Sequence, residues 1–238
     1  MKNDVFQRYE LKYLLTASQR RFLERAIQSS MTPDAYGEST IRNVYYDTPD
    51  FRLIRRSLEK PSYKEKIRMR SYRRVGKEET VFLELKKKCG GVVFKRRISL
   101  PQNRATAYLD DECPLSDPTQ IGREIDAFKN FYRTLVPAMY ISYDRTAYFG
   151  KDDPGFRLTF DRHIRYRTEA MSLCEESYGT ELLEEGQSLL EIKVSRAVPL
   201  WLVKLLGEAG IRQTSFSKYG MAYTRMMQEK ENGGRNCA

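Results

Sequence analysis

Apolar and charged positions alternate along much of the chain. In RYELKY (8–13), Tyr9, Leu11 and Tyr13 fall between Arg8, Glu10 and Lys12, and in KEKIRMRSY (64–72) Ile67 and Met69 fall between Lys66, Arg68 and Arg70. Runs of this period two, rich in Val, Ile, Tyr, Phe and Leu, predict about eight strands, at 5–14, 41–47, 63–73, 80–88, 92–99, 138–149, 156–166 and 188–195. Helical spacing appears instead at 16–29, which opens on a Thr/Ser cap signal, at 120–135 and at 198–209, with 216–228 closing the fold. Gly90 and Gly91 alone separate two of the strands, a hairpin signal that makes those strands antiparallel neighbours. The acidic, aperiodic stretch 168–187 reads as a loop, and 229–238 as a disordered tail after a single domain spanning 1–228.

Because side chains alternate across a strand, parity sorts each strand into two faces. One face collects Arg8, Glu10 and Lys12; Lys64, Lys66, Arg68 and Arg70; Glu84, Lys86 and Lys88; Lys95 and Arg97; Arg157, Thr159 and Asp161; and Glu191, Lys193 and Ser195. The opposite face is apolar. A solvent-facing sheet mixes both signs, whereas these rows are mostly Lys and Arg. Two like charges about 4 Å apart repel by about 4 kcal/mol at an effective dielectric near 20, so a dense cationic face calls for an anion. Should the strands close into a barrel, the apolar rows turn outward under the helices and the cations line a water-filled tunnel.

Composition agrees with that picture. The 238 residues carry 42 Lys+Arg against 32 Asp+Glu, a formal charge of +10, which points to an anionic partner: nucleic acid, an acidic membrane face or a polyphosphorylated small molecule. Cys89, Cys113, Cys174 and Cys237 are scattered without metal or disulfide spacing, no apolar run is long enough to span a membrane, and MKNDVFQRYE lacks a secretion signal. A soluble cytoplasmic protein is expected.

Glu10, Glu84 and Glu191 stand among the cations on three strands, and their carboxylates could converge on one hard divalent cation, Mn²⁺ or Mg²⁺, with Arg and Lys holding phosphate oxygens around it. Surface salt bridges are the plainer alternative for each of them. His163, the one histidine, lies among arginines and suits a surface role; Ser215 and Ser217 lack a His/Asp partner and suit a helix start; Trp201 suits the core; GKDDPG (150–155) suits a turn.

The ordered motifs RYELKY (8–13), YYDTPDF (45–51), KIRMRSY (66–72), FLELKKK (82–88), FKRR (94–97), YDRTAY (143–148), RLTFDR (157–162), LLEIKV (189–194) and SFSKYG (215–220) resemble the triphosphate tunnel metalloenzymes, and within them the VTC domain of polyphosphate polymerases. The resemblance implies an α+β fold with an eight-stranded antiparallel barrel, helices outside it and a basic tunnel. By position it assigns phosphate binding to Arg8, Lys12, Arg68, Arg70, Lys86, Lys95, Arg145 and Arg157, with Arg97 and Lys193 on the same faces, Tyr143 lining the tunnel and Lys218 closing on the substrate. Glu191 matches the family's metal-binding glutamate. Arg8 stands where the hydrolase and cyclase branches carry the first glutamate of an ExExK pattern, which favours the polymerase-like branch. The chain has room for neither the regulatory domain nor the membrane helices of the eukaryotic subunits, though a membrane-protein partner remains possible.

Three functions follow as expectations. The first is transfer of the γ-phosphoryl of ATP to a polyphosphate chain with Mn²⁺ or Mg²⁺; the second is hydrolysis of triphosphate or tripolyphosphate in the same site. The third is non-catalytic binding of polyphosphate or nucleic acid, the latter disfavoured because Tyr9, Tyr13 and Met69 lie opposite the charges, where bases could not stack on them.

Overall fold

The structure, a computed structural model, describes residues 9–90, 92–115, 117–195 and 197–235. Among them the elements run β1 (Tyr9–Leu15), α1 (Ala17–Ala26), β2 (Met31–Asp47), α2 (Arg52–Leu58), β3 (Tyr63–Ser71), β4 (Thr80–Cys89), β5 (Val92–Pro101), α3 (Gln102–Leu109), α4 (Gln120–Tyr132), β6 (Val136–Gly150), β7 (Arg157–Arg167), β8 (Thr180–Glu181), β9 (Ser188–Val194), α5 (Leu200–Glu208), β10 (Gln213–Thr214) and α6 (Lys218–Arg235). The strands form one sheet in the order β10-β1-β9-β7-β6-β2-β3-β4-β5, with β8 added beside β7. The eight expected strands are all present and the class is α+β. The closed barrel is not: among the described residues the order is an open path ending at β10 and β5. The two residues of β10 pair only with Lys12 and Tyr13 of β1, too short a ladder to carry the pairing further.

Local chemistry explains most element boundaries. Thr16 and Gln19 exchange hydrogen bonds at the start of α1, the side chain of each accepting from the other's backbone N–H at 3.2 and 2.9 Å, which is a capping box. Cys89 pairs with Val92 across the predicted hairpin, and Gly90 takes φ +53°, which a residue without a Cβ adopts at little cost; Gly91 lies outside the described residues. Two helices, half of one strand and the two-residue strands β8, inside the expected loop 168–187, and β10 depart from the expectation. α2 carries no adjacent cap residue, since Asp47 serves its backbone from five positions upstream of Arg52. α3 starts directly on Pro101, whose fixed φ suits a helix start. The first half of β2 contains Pro33 and Gly37 and lacks alternation, so only pairing makes it a strand. α6 continues to Arg235 through part of the expected disordered tail, carried by the helix-favouring Gln228-Glu229-Lys230-Glu231; residues 236–238 lie outside the described residues.

The chain divides into two compact units, one of Met1–Thr40, Tyr143–Ile164 and Glu181–Phe216, the other of Ile41–Ser142, Arg165–Thr180 and Ser217–Ala238. No shift in composition marks that division. In the first unit the apolar rows of β1, β7 and β9 (Leu15, Leu158, Phe160, Leu190, Ile192) pack with Leu23 of α1 and Leu202 and Leu206 of α5. In the second, Ile67 and Met69 of β3, Val81, Leu83 and Leu85 of β4 and Ile98 of β5 pack with Ala105 and Leu109 of α3 and Ile125 and Phe128 of α4. Each unit therefore buries its greasy rows under helices, leaving the charged rows on the other face of the strands.

Candidate functional site

In the second unit, backbone register turns the charges of β3, β4 and β5 into rows. Lys66 stands opposite Lys86 and Lys86 opposite Lys95; Lys64 stands opposite Lys88; Arg68 stands opposite Glu84 and Glu84 opposite Arg97. Directly opposed side chains on an antiparallel pair have Cβ atoms only about 5 Å apart, so two of these rows stack like charges and destabilise the sheet. Glu84 is the carboxylate at their centre, and only 1% of it is exposed. Arg68 donates to its Oε2 through Nε at 3.0 Å and Nη2 at 2.8 Å, Arg70 lies at 3.8 Å, and Lys95 contacts Oε1 at 2.6 Å. Burial opposes its ionisation, but those cations prevail and bring the Glu84 carboxyl down to about 2. Burial, then Lys88, Lys60 and Lys86, push the Lys64 ammonium below its ordinary range; burial does the same to Lys95 against the pull of Glu84. The face is cationic beyond what its one buried glutamate neutralises.

Its surroundings hold the arginines in place. Arg70 Nε donates to Asn43 Oδ1 at 2.8 Å, and Asn43 donates to the Ile141 carbonyl at 2.9 Å. Arg68 Nη1 donates to the Tyr45 hydroxyl at 2.8 Å. Burial would raise the Tyr45 phenol, yet Arg68, Arg70 and Lys66 bring it down to about 8. The Arg97 guanidinium lies over the Phe82 ring, 4.4 Å from its centroid. Lys66 donates to Ser217 Oγ at 3.2 Å, immediately before Lys218 opens α6. Tyr45, Asn43 and Lys66 were not in the predicted set. Lys66 was legible from parity alone; Tyr45 and Asn43 needed the β2–β3 register, which sets Tyr45 opposite Arg68 and Asn43 opposite Arg70.

In the first unit β1 and β9 pair opposite signs instead, although Lys193 also faces Arg157 of β7. Lys12 stands opposite Glu191 and Glu10 opposite Lys193, which in turn stands opposite Arg157. Lys12 Nζ contacts Glu10 at 3.1 Å and Glu191 at 3.7 Å, and donates to the Phe216 carbonyl at 2.9 Å. Arg145 forks onto the fully buried Asp161 at 2.6 and 2.7 Å and reaches Glu191 at 3.1 Å, with its guanidinium 5.1 Å from the Tyr143 ring centroid. Burial works against that guanidinium's charge, but Asp161, Tyr143 and Glu191 hold it protonated. Arg157 contacts Asp34 at 3.6 Å and covers the Phe149 ring at 4.7 Å.

The predicted residues thus fall into two groups: Lys12, Glu10, Tyr143, Arg145, Arg157, Glu191 and Lys193 in one unit, and Arg68, Arg70, Glu84, Lys86, Lys95, Arg97 and Lys218 in the other. Arg8 lies outside the described residues. The convergence of Glu10, Glu84 and Glu191 on one cation is not found: among the described residues no group of three or more His, Cys, Asp or Glu is placed to hold a metal ion. Cations on the neighbouring strands claim each carboxylate, and Glu84 is spent on Arg68, Arg70 and Lys95. Glu10 and Glu191, sharing Lys12, still fit a hard divalent cation of the kind that takes one or two carboxylates and completes its shell with phosphate or water oxygens. The plainer readings elsewhere agree with the structure. His163 is exposed beside Glu181, Ser217 caps α6 by accepting from Gly220 N–H at 3.2 Å, and Trp201 packs edge-on against Phe156.

A family model, the VTC domain, matches residues 7–227. The chain belongs to the VTC domain family. Comparison with curated proteins finds no match. Among solved structures, a protein of Bacillus halodurans described as a candidate adenylate cyclase superposes with a TM-score of 0.55 at 16% identity, over 87% of this chain and 92% of that one, a likeness of fold alone. A protein of Vibrio parahaemolyticus with the same description aligns over 91% and 98% at 11% identity with a TM-score of 0.48, too low to carry an argument. Among the described residues of this VTC domain no helix is long and apolar enough to cross a membrane.

Proposed function

We propose that this VTC domain is a phosphotransferase that moves the γ-phosphoryl of ATP onto the end of a polyphosphate chain. The observation that carries the reading is the pair of like-charge rows, Lys64–Lys88 and Lys66–Lys86–Lys95, registered beside Arg68 and Arg70 around a single buried glutamate. Such crowding is stabilised by a ligand with regularly repeated negative charge, and a chain of phosphates has that form. Arg68 and Arg70 supply guanidinium N–H donors to phosphate oxygens while the lysines act as point charges, and Glu84 and Asn43 fix the guanidiniums before the ligand arrives. No protein nucleophile is required, because a terminal phosphate oxygen of the acceptor attacks the γ-phosphorus and ADP leaves. A divalent cation, Mn²⁺ or Mg²⁺, accompanying the ATP would neutralise charge on the phosphates.

Incubation of the purified protein with ATP and Mn²⁺ is expected to yield ADP together with long polyphosphate, and excess chelator is expected to abolish it. ADP and orthophosphate without chains would replace this reading with hydrolysis on the same face.

A further inference from the structure

We infer that Asp47 is a positioning residue: through Tyr219 it pins the first turn of α6, and with it Ser217, against Lys66 on the cation-rich face. The inference rests on the phosphate-binding reading of that face and adds what holds it in shape.

Asp47 is wholly buried and, besides a long contact from Thr48 Oγ1 at 3.5 Å, its carboxylate accepts four hydrogen bonds. Three come from nearby backbone: Thr48 N–H at 2.8 Å and Leu53 N–H at 2.8 Å to Oδ1, and Ile54 N–H at 3.0 Å to Oδ2. Together with Thr48 Oγ1, which accepts from Arg52 N–H at 2.9 Å, these account for the start of α2. The fourth comes from Tyr219 Oη at 2.8 Å, 172 positions along the chain. Tyr219 then lays its ring on Tyr45, with centroids 4.6 Å apart and planes 18° from parallel, and Tyr45 accepts from Arg68. The Lys66 ammonium lies 5.8 Å from the Tyr219 ring centroid and donates to Ser217 Oγ. A cation above a ring and beside a hydroxyl is held from two sides, and both sides belong to the first turn of α6.

A separate observation shows that this turn is meant to sit tightly. At Gly220 a Cβ would come within 3.1 Å of Leu58 Cδ2 and 3.2 Å of Ser217 Cβ, so α6 meets α2 as closely as a missing side chain allows. Phe51, at φ +59° just before α2, packs its ring 5.3 Å from Tyr223 of α6. The contacts with α2 set the position of α6, and the Asp47–Tyr219 hydrogen bond sets its rotation, which decides where Ser217 meets Lys66.

The test uses the full chain with Tyr219→Phe, which keeps the ring and its stacking and deletes only the O–H, and Asp47→Asn, which replaces an acceptor by a donor. Two measurements separate the roles: amide hydrogen exchange over 217–222, and the dissociation constant for tripolyphosphate by calorimetry. Both variants are expected to exchange faster in that window and to bind tripolyphosphate about tenfold more weakly, the scale of one hydrogen bond. In Lys66→Met, further substitution of Tyr219→Phe is expected to cost nothing more, because the two act through one ammonium. Unchanged affinity beside faster exchange would reduce the contact to a structural tie and overturn the inference. Additive losses in the double variant would overturn it as well. Should the unaltered protein fail to bind tripolyphosphate, the functional reading falls, and unchanged exchange in Tyr219→Phe would then remove the anchoring too.

Discussion

Glu84 shows what one carboxylate does among cations. Its carboxyl titrates near 2 in the folded protein against an ordinary value of 4.5, so the unfolded chain takes up its proton first as the pH falls. The stability it contributes is complete above the ordinary value and is lost as the pH drops toward 2, a difference of about 3 kcal/mol by linkage. Acid unfolding of Glu84→Gln is therefore expected to lack that share of the pH dependence, and the variant is expected to be less stable at pH 7 when no anion is bound. Tyr45 has the opposite use of the same field. Its phenol is brought down to about 8 by Arg68, Arg70 and Lys66, and ionisation would add a negative charge to the cation-rich face. Affinity for tripolyphosphate is expected to fall as the pH rises through about 8, with a smaller fall in Tyr45→Phe. An absorbance titration that shows no tyrosine ionising earlier in the native protein than in Tyr45→Phe would contradict this.

Among the elements, β3, β4 and β5 set like charges opposite one another, a cost in stability that the proposed ligand would offset. Lys88 stands opposite Lys64 and depresses it. Lys88→Gln is expected to raise the stability of the free protein by a few tenths of a kcal/mol, by removing an opposed like charge, and to weaken tripolyphosphate binding. Thermal unfolding with and without tripolyphosphate reads both effects, and a loss in both would sink the claim that the row is kept for a ligand. These strands were legible from Ile67, Met69, Leu83 and Leu85 because period two is a local property. α2 was not, because its cap is Asp47, a residue that reads as part of the preceding strand. Nor was the first half of β2, where Pro33 and Gly37 break the pattern and only the sheet supplies the strand.

For the whole molecule, a charge of +10 together with the like-charge rows of β3, β4 and β5 is expected to make the proposed anion binding strongly dependent on salt. Tripolyphosphate at about 100 times its dissociation constant is expected to add about 2.7 kcal/mol to stability, and that gain is expected to shrink steadily as salt rises. A gain insensitive to salt would argue against charge as the basis of recognition. The set of charged faces was legible from parity, which puts Lys12, Arg68, Arg70, Lys86, Lys95 and Glu191 in it. Its division into a sign-paired group and a cation-rich group was not, since Lys12 and Glu191, or Lys66 and Lys95, lie far apart in sequence.

The order of residues by itself determined which side chains share a face, because alternation along a strand requires only neighbouring backbone. It also determined the surplus of positive charge. Tertiary structure decided which charge faces which, because hydrogen-bond register between strands sets Lys66 against Lys86 while it sets Lys12 against Glu191. It decided too that the strand order stays open among the described residues and that Asp47 meets Tyr219, a contact that forms only when folding brings the end of β2 to the start of α6.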